Sequence, residues 1–485
     1  MAKMKWPVLL VTPLVLAACT PQVPTKYTDA KAGFLDVSTQ TSGAIGKRTA
    51  FAQTRAENDA LTKEVRGMVQ GKTISVDTAV QVALLNNKGL QASYANVGLS
   101  AAEVWQQSTP QNPVVSLGIY GVGAPELGLY RTLETMIAFN LLDVKTRKQR
   151  IAVADAQFQQ AQLNAVSDTL SLANQTRQAW INAVGAFETL GYLRKASEAA
   201  GAGAELAEQL GKTGALNKAG QAREFAFGAE LAGQVAKAKL EATVAKEKLT
   251  RLMGLWGTDT NYFVPDALPS LPKSLRRVSS IEATALSNRV DLKVAKTGLE
   301  AQARAFGLTD QTRLVTDLEL IAGFEAERER EDGNTDTSTR PQIELEFAIP
   351  IFDTGQARMR KAELAYMQAA NTLAEKAVNV RSEARSAEVS YHSSYQIARH
   401  YRDVVVPLRT TIEEEGLLSY NGMITNTFEL LTDVREKLAS SLEAANAKRD
   451  FWLAQANMTA AIYGGGSGAM GGDERMAIAA GGAGH

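Results

Sequence analysis

Apolar and polar positions follow a period of two in two stretches of each half of the chain. Val115, Leu117 and Ile119 alternate with Ser116, Gly118 and Tyr120, and a Gly121-Val122-Gly123-Ala124-Pro125 turn follows. From Leu129 to Phe139, Leu133, Ile137 and Phe139 fall on one side, Thr132 and Glu134 on the other. In the second half, Leu318 to Phe324 leads into a charged, Gly/Asn/Thr-rich loop. Ile343, Leu345 and Phe347 then alternate with Glu344 and Glu346. Period two gives a strand one apolar and one polar face, which predicts strands over about 113–122, 128–140, 314–328 and 340–350. The pattern alone equally fits a soluble hairpin with one face packed on a helix.

Elsewhere the pattern is helical and unusually long. No proline lies between Pro125 and Pro265, and only Pro407 follows Pro350. Ala, Gln, Glu, Lys, Arg and Leu dominate these tracts, and all of them favour helix where proline would break it. Long helices are expected over about 145–212, 216–255, 355–415 and 424–462. At 1.5 Å per residue the first would be ~100 Å long and the third ~90 Å. Such rods point to coiled-coil packing. Their apolar stripe is weak and alanine-rich (Ala152, Ala154, Ala156, Ala161), which allows close approach of helices.

The two halves match in order. Ala83-Leu84-Leu85-Asn86-Asn87-Lys88-Gly89-Leu90 parallels Ala285-Leu286-Ser287-Asn288-Arg289-Val290-Asp291-Leu292. Leu141-Leu142-Asp143 with Lys148-Gln149-Arg150 parallels Ile351-Phe352-Asp353 with Arg358-Met359-Arg360. Each half closes on a helix ending at glycine, Leu252-Met253-Gly254 and Ile462-Tyr463-Gly464. This predicts an internal two-fold repeat, 75–264 and 279–464, joined by a proline-marked linker at 265–278. A glycine-rich tail, 465–485, follows and is expected to be disordered.

The amino terminus carries an address. Met1-Ala2-Lys3-Met4-Lys5 is a short positive stretch, Trp6 to Ala18 is apolar, and Leu16-Ala17-Ala18-Cys19 reads as a lipobox. This predicts a signal peptide over 1–18 and a lipidated segment over 19–74 beginning at Cys19. Thr20 follows, not the aspartate that retains lipoproteins at the inner membrane, so outer-membrane sorting is expected. Cys19 is the sole cysteine, which leaves no disulfide framework, and 52 basic residues balance 52 acidic ones, which gives no basic field for nucleic acid. Past the leader no apolar run is long enough for a transmembrane helix, so the mature chain can span a membrane only as a β-barrel. Four strands are too few to close one. Two copies would make a barrel filled by side chains, whereas three would make a twelve-stranded barrel around an aqueous lumen.

The layout then resembles the TolC/OprM-like outer-membrane efflux factor family, in its lipoprotein branch. The carriers are the two AL-x-N-x₃-L segments at Ala83 and Ala285 and the strand exit Pro350-Ile351-Phe352-Asp353-Thr354-Gly355-Gln356-Ala357-Arg358. Tyr420-Asn421-Gly422 followed by Phe428-Glu429-Leu430-Leu431, and the helix end at Tyr463-Gly464, complete the set. The resemblance covers about Ser75 to Gly464. It implies a mainly α fold of long antiparallel helical hairpins (an α-barrel) with four β-strands per protomer, closed in a homotrimer as a twelve-stranded outer-membrane barrel. It also implies passive export with a periplasmic adaptor and an inner-membrane exporter.

By the same resemblance the turns Gly214-Ala215-Leu216-Asn217 and Gly422-Met423-Ile424-Thr425 are the adaptor-docking tips. Where relatives place an aspartate ring, this chain has Phe428 and Leu431. Glu429 and Asp433 lie nearby on one helical face, so Phe428, Glu429 and Asp433 are the candidate periplasmic constriction. The bland reading of these carboxylates is pairing with Arg435 or Lys437. The run Glu325-Ala326-Glu327-Arg328-Glu329-Arg330-Glu331-Asp332 is expected to rim the outer loop. His392 and His400 have no placed partners for a metal site. No cofactor is expected, and no nucleophile elbow, Walker loop or zinc motif occurs, which argues against an enzyme. The rival from another class is a periplasmic coiled-coil scaffold lipoprotein without a pore.

Overall fold

The computed structural model describes residues 23–123, 130–214, 216–275, 279–331, 334–422 and 427–465. Cys19, its leader and the tail beyond 465 lie outside them. A single helical turn at Thr25–Thr28 precedes α1 (Phe34–Ile45), α2 (Arg55–Val69), α3 (Val76–Asn86) and α4 (Lys88–Ser108). Strands β1 (Val114–Tyr120) and β2 (Thr132–Asn140) lead to the long helices α5 (Leu141–Lys212) and α6 (Lys218–Met253). A second series follows: α7 (Ile281–Asn288), α8 (Val290–Gln311), β3 (Leu318–Glu331), β4 (Asn334–Phe347), α9 (Gln356–His400), a π turn at Tyr401–Val405, α10 (Val406–Asn421) and α11 (Thr427–Tyr463). None of the helices searched among the described residues is long and apolar enough to cross a membrane.

The chain forms two compact units, and each takes residues from both halves of the sequence. The first holds the described residues up to Leu35, with 96–162 and 293–375. The second holds 36–95, 163–292 and the chain from Lys376 onward.

The first unit contains the one described sheet, ordered β1-β2-β3-β4 and antiparallel throughout. Its second hairpin corrects the sequence reading. The charged stretch from Glu325 is not a rim loop: β3 continues through it to Glu331, and Glu331 pairs with Asn334. Thr335, Thr337 and Thr339 on β4 face Arg330, Arg328 and Ala326 in register. β-Branched threonines favour a strand, and the cross-strand ladder satisfies backbone groups that a loop would leave to water. The β2 partner ends at Thr132 opposite Glu327, so the last residues of β3 and β4 project as a two-stranded ribbon.

Asn140 closes β2 and caps α5, its Oδ1 accepting from the Asp143 N–H at 2.8 Å. Asp143 is buried and paired with Arg150. At the β4 exit the matching Asp353 lies 3.4 Å from Arg358.

The second unit shows what the twin AL-x-N motifs do. The Asn86 Nδ2 donates to the Met253 and Gly254 carbonyls at 3.1 and 2.7 Å, and the Asn87 Nδ2 to that of Leu252 at 3.0 Å. These carbonyls are the orphans that every helix end leaves. Gly254 turns the chain away at φ 67°, left-handed backbone that suits glycine. In the second half Asn288 bonds only within its own turn, to the Thr284 carbonyl at 2.9 Å. Arg289 takes over, reaching the Ala461 carbonyl at 3.5 Å while held by Asp291 and Glu383.

The proline-marked linker is packed. Leu268 and Leu271 are buried, the Leu268 N–H donates to Glu188 at 2.9 Å, and Lys448 reaches Glu188 at 2.6 Å. The Trp452 indole donates to the Pro269 carbonyl and the Tyr395 hydroxyl to that of Pro272, both at 3.0 Å. Beneath it Tyr391 stacks on Phe451, with ring centres 5.6 Å apart. The helix expected over 355–415 instead contains the π turn, where the Val406 N–H reaches back to the Tyr401 carbonyl. Pro407 follows at the first turn of α10, where its missing N–H costs least. Hydrogen bonds from Arg402, and from Arg399 beside it, hold the exposed Asp403 carboxyl down at about 2.

Candidate functional site

The sheet has two unlike faces. Val115, Ile137, Ala322 and Ile343 stand in one cross-strand row, and Leu117, Thr135, Phe324 and Pro341 in the next. Phe139, Leu320 and Leu345 continue this apolar face. It is bare: Leu117 is 64 % exposed, Leu345 56 % and Ile343 80 %. That rules out a hairpin whose apolar face is packed on a helix.

The opposite face carries Glu134, Glu325 and Arg340 in one row and Asn140, Glu319 and Glu346 in another. Tyr120 donates to Glu134, and the Gln342 amide to Glu325, both at 2.9 Å. β1 and β4 each keep one edge without a partner strand among the described residues.

Of the candidate tip residues, Gly214, Leu216 and Asn217 form a tight helix-to-helix turn. Gly214 has φ 77°, and the Leu216 N–H closes the end of α5 on the Leu210 carbonyl at 3.1 Å. Asn217 caps α6, accepting from the Gly220 N–H at 2.7 Å. Ala215 lies outside the described residues, as do Met423, Ile424 and Thr425. Gly422 ends α10 at φ −79°, so the second turn does not begin on left-handed glycine as the first does.

The candidate constriction sits at the start of α11. Nothing is described of the Phe428 side chain. Glu429 is exposed, and Asp433 is half-buried against α10 at Gly416, where its Oδ2 would stand 2.9 Å from an added Cβ. Arg435 and Lys437 take other partners. Lys437 pairs with Glu413 of α10, and Arg409 with Glu436. Arg435 crosses to Glu224 of α6 at 3.3 Å and lies over the Phe227 ring at 4.1 Å. Glu224 is buried. This α6–α11 pair escaped the sequence reading, because nothing in the local pattern brings residues 211 positions apart together. Among the described residues no cluster of His, Cys, Asp or Glu fits a metal ion.

Solved structures share this fold. The outer-membrane channel OprN matches with a TM-score of 0.66 at 18 % identity, covering 89 % of this chain and 96 % of its own. A membrane protein from Pseudomonas aeruginosa matches at 0.66 and 15 %, covering 80 % and 92 %. The Campylobacter jejuni CmeC outer membrane channel matches at 0.61 and 18 %, covering 88 % and 92 %. No family model and no curated protein matches the chain. The fold is that of these outer-membrane channels, long helices with a small antiparallel sheet, and it is the TolC-like fold that the motifs led us to expect.

Proposed function

We propose that this chain is the outer-membrane channel of a tripartite efflux system, conducting solutes passively from an inner-membrane exporter and a periplasmic adaptor. The observation that carries this reading is the bare apolar sheet face flanked by two unpaired edges. Lipid accepts the apolar face but not the edges, whose unpaired backbone groups cost several kcal/mol each in hydrocarbon. Further strands must close the wall, and three copies supply twelve, enough for an aqueous lumen lined by the acidic face. The long helices then extend into the periplasm, with the α5–α6 and α10–α11 turns as the adaptor-docking tips. Cys19 anchors the chain by its lipid. The Glu224–Arg435 pair is the candidate tie holding the α10–α11 hairpin shut, with Glu429 and Asp433 lining the narrowed passage. A scaffold without a pore gives the bare sheet no role.

Single-channel conductance in planar bilayers, with the mass of the chain in detergent, tests the proposal. Stepwise conductance from a trimeric species is expected. A monomer without conductance would return the reading to the scaffold.

A further inference from the structure

We propose that the first turns of α5 form a docking surface for the anionic headgroups of phospholipids in the leaflet next to the strand exits. This rests on the membrane reading above and adds a lipid class to it.

The register puts every strand–helix junction at one end of the sheet. β1 starts at Val114 opposite Ala138, β2 leaves at Asn140 opposite Glu319, and β4 leaves at Phe347 opposite Leu318. Past Asn140 and Leu141-Leu142-Asp143 the chain reads Val144-Lys145-Thr146-Arg147-Lys148-Gln149-Arg150-Ile151. Val144, Arg147, Lys148 and Ile151 line an open cleft of about 310 Å³. Val144 is 66 % exposed, and Lys145 and Lys148 are exposed and form no ion pair among the described residues. Arg147 is steadied by donating to the Ser108 carbonyl. The nearby carboxylate, Asp143, is buried and already spent on Arg150, so it does not offset the two lysines.

Val144 and Ile151 lie four residues before and three after Lys148, on its own side of the helix. The lysine stem therefore runs between apolar chains and carries its charge at their tip, an arrangement suited to the boundary between acyl chains and headgroups. Depth agrees. Lys148 is eight residues past Asn140, ~12 Å along the axis. Helical side chains lean toward the helix N terminus, which here means back toward the sheet. The ammonium groups thus meet the headgroup layer, which is roughly 5–8 Å thick on each side of the hydrocarbon.

The test uses the full chain reconstituted into vesicles of phosphatidylethanolamine, alone or mixed with phosphatidylglycerol. Co-flotation reports membrane association, and native mass spectrometry after mild detergent extraction reports the lipids retained. The wild type should retain phosphatidylglycerol in preference. Lys145→Ser with Lys148→Ser should float equally well but lose that retention by roughly fivefold per lysine removed. Equal retention of both lipids, an unchanged double variant, or displacement of phosphatidylglycerol by inorganic phosphate would overturn the docking surface alone. A chain that floats with neither vesicle would overturn the membrane reading and this surface with it.

Discussion

Arg289 is a buried cation whose worth depends on its neighbours. It donates to Asp291 at 2.9 and 2.6 Å and to Glu383 at 2.5 Å, and Lys376 stands 3.6 Å from Asp291. Burial disfavours the Asp291 carboxylate, but the Arg289 hydrogen bonds and the charges of Arg289 and Lys376 outweigh it and hold the carboxyl below its ordinary range. Burial likewise opposes the Arg289 charge, and the two carboxylates more than restore it. Replacing Arg289 with methionine leaves Asp291 with Lys376 alone. We expect a loss of about 3 kcal/mol, the lower end for a broken buried pair, seen as a lower unfolding midpoint in denaturant. The sign of the pH dependence follows from the depressed carboxyl. Its stabilisation is complete above the ordinary value of 3.8 and is lost as pH falls from there through the lower folded value. Acid unfolding of the wild type should therefore show this loss, and Arg289→Met should flatten it. The sequence marked this place through the Ala285-to-Leu292 motif. It did not show that arginine replaces the asparagine bridge of the first half, since the partner carbonyl of Ala461 is 172 positions away.

Among the elements, the β3–β4 hairpin and the α6–α11 pair carry the clearest tests. Leu345 and Glu344 are adjacent in sequence and opposite in face. In the membrane reading Phe324→Arg, on the face of Leu345 and six residues in from the start of β3 at Leu318, puts a cation against lipid near mid-bilayer and costs about 2–4 kcal/mol, which should abolish insertion read as channel formation in planar bilayers. Glu344→Arg points into the lumen and should leave insertion intact while shifting the reversal potential toward anions. If both variants insert equally, the apolar face does not meet lipid. Within the second unit, Arg435→Met strands the buried Glu224 without its cation. The α10–α11 hairpin should then separate from α6, and channel conductance should rise several-fold with the fold retained. Unchanged conductance would remove the pair from the gate. Period two made the faces of β4 legible, because alternation is local. The same logic missed the outer half of the β3–β4 hairpin, because a run of Glu and Arg looks like a solvated loop until its threonine-rich partner lies beside it.

At the scale of the molecule, the proposed trimer rests on the two sheet edges that have no partner strand among the described residues. Deleting 318–347 removes half the strands and should abolish both conductance and the oligomer in detergent, while the far-ultraviolet helical signal persists. Retention of the oligomer would place its interface on the helices alone. Each compact unit takes residues from both halves of the sequence, and in the first β2 pairs with β3 across them, so the spatial division does not follow the expected repeat.

The sequence by itself pointed to the strand stretches, the faces of those strands and the long helices between them. All of these rest on interactions within a few residues: alternation, helical propensity and proline exclusion. It also supplied the motifs that led to the fold. Only the tertiary structure decided that the proline linker is packed against α5, α9 and α11 and that Arg435 belongs to Glu224. Only there does the apolar sheet face stand bare. Those outcomes depend on contacts between residues far apart in the chain, where distance along the backbone carries no information about distance in space.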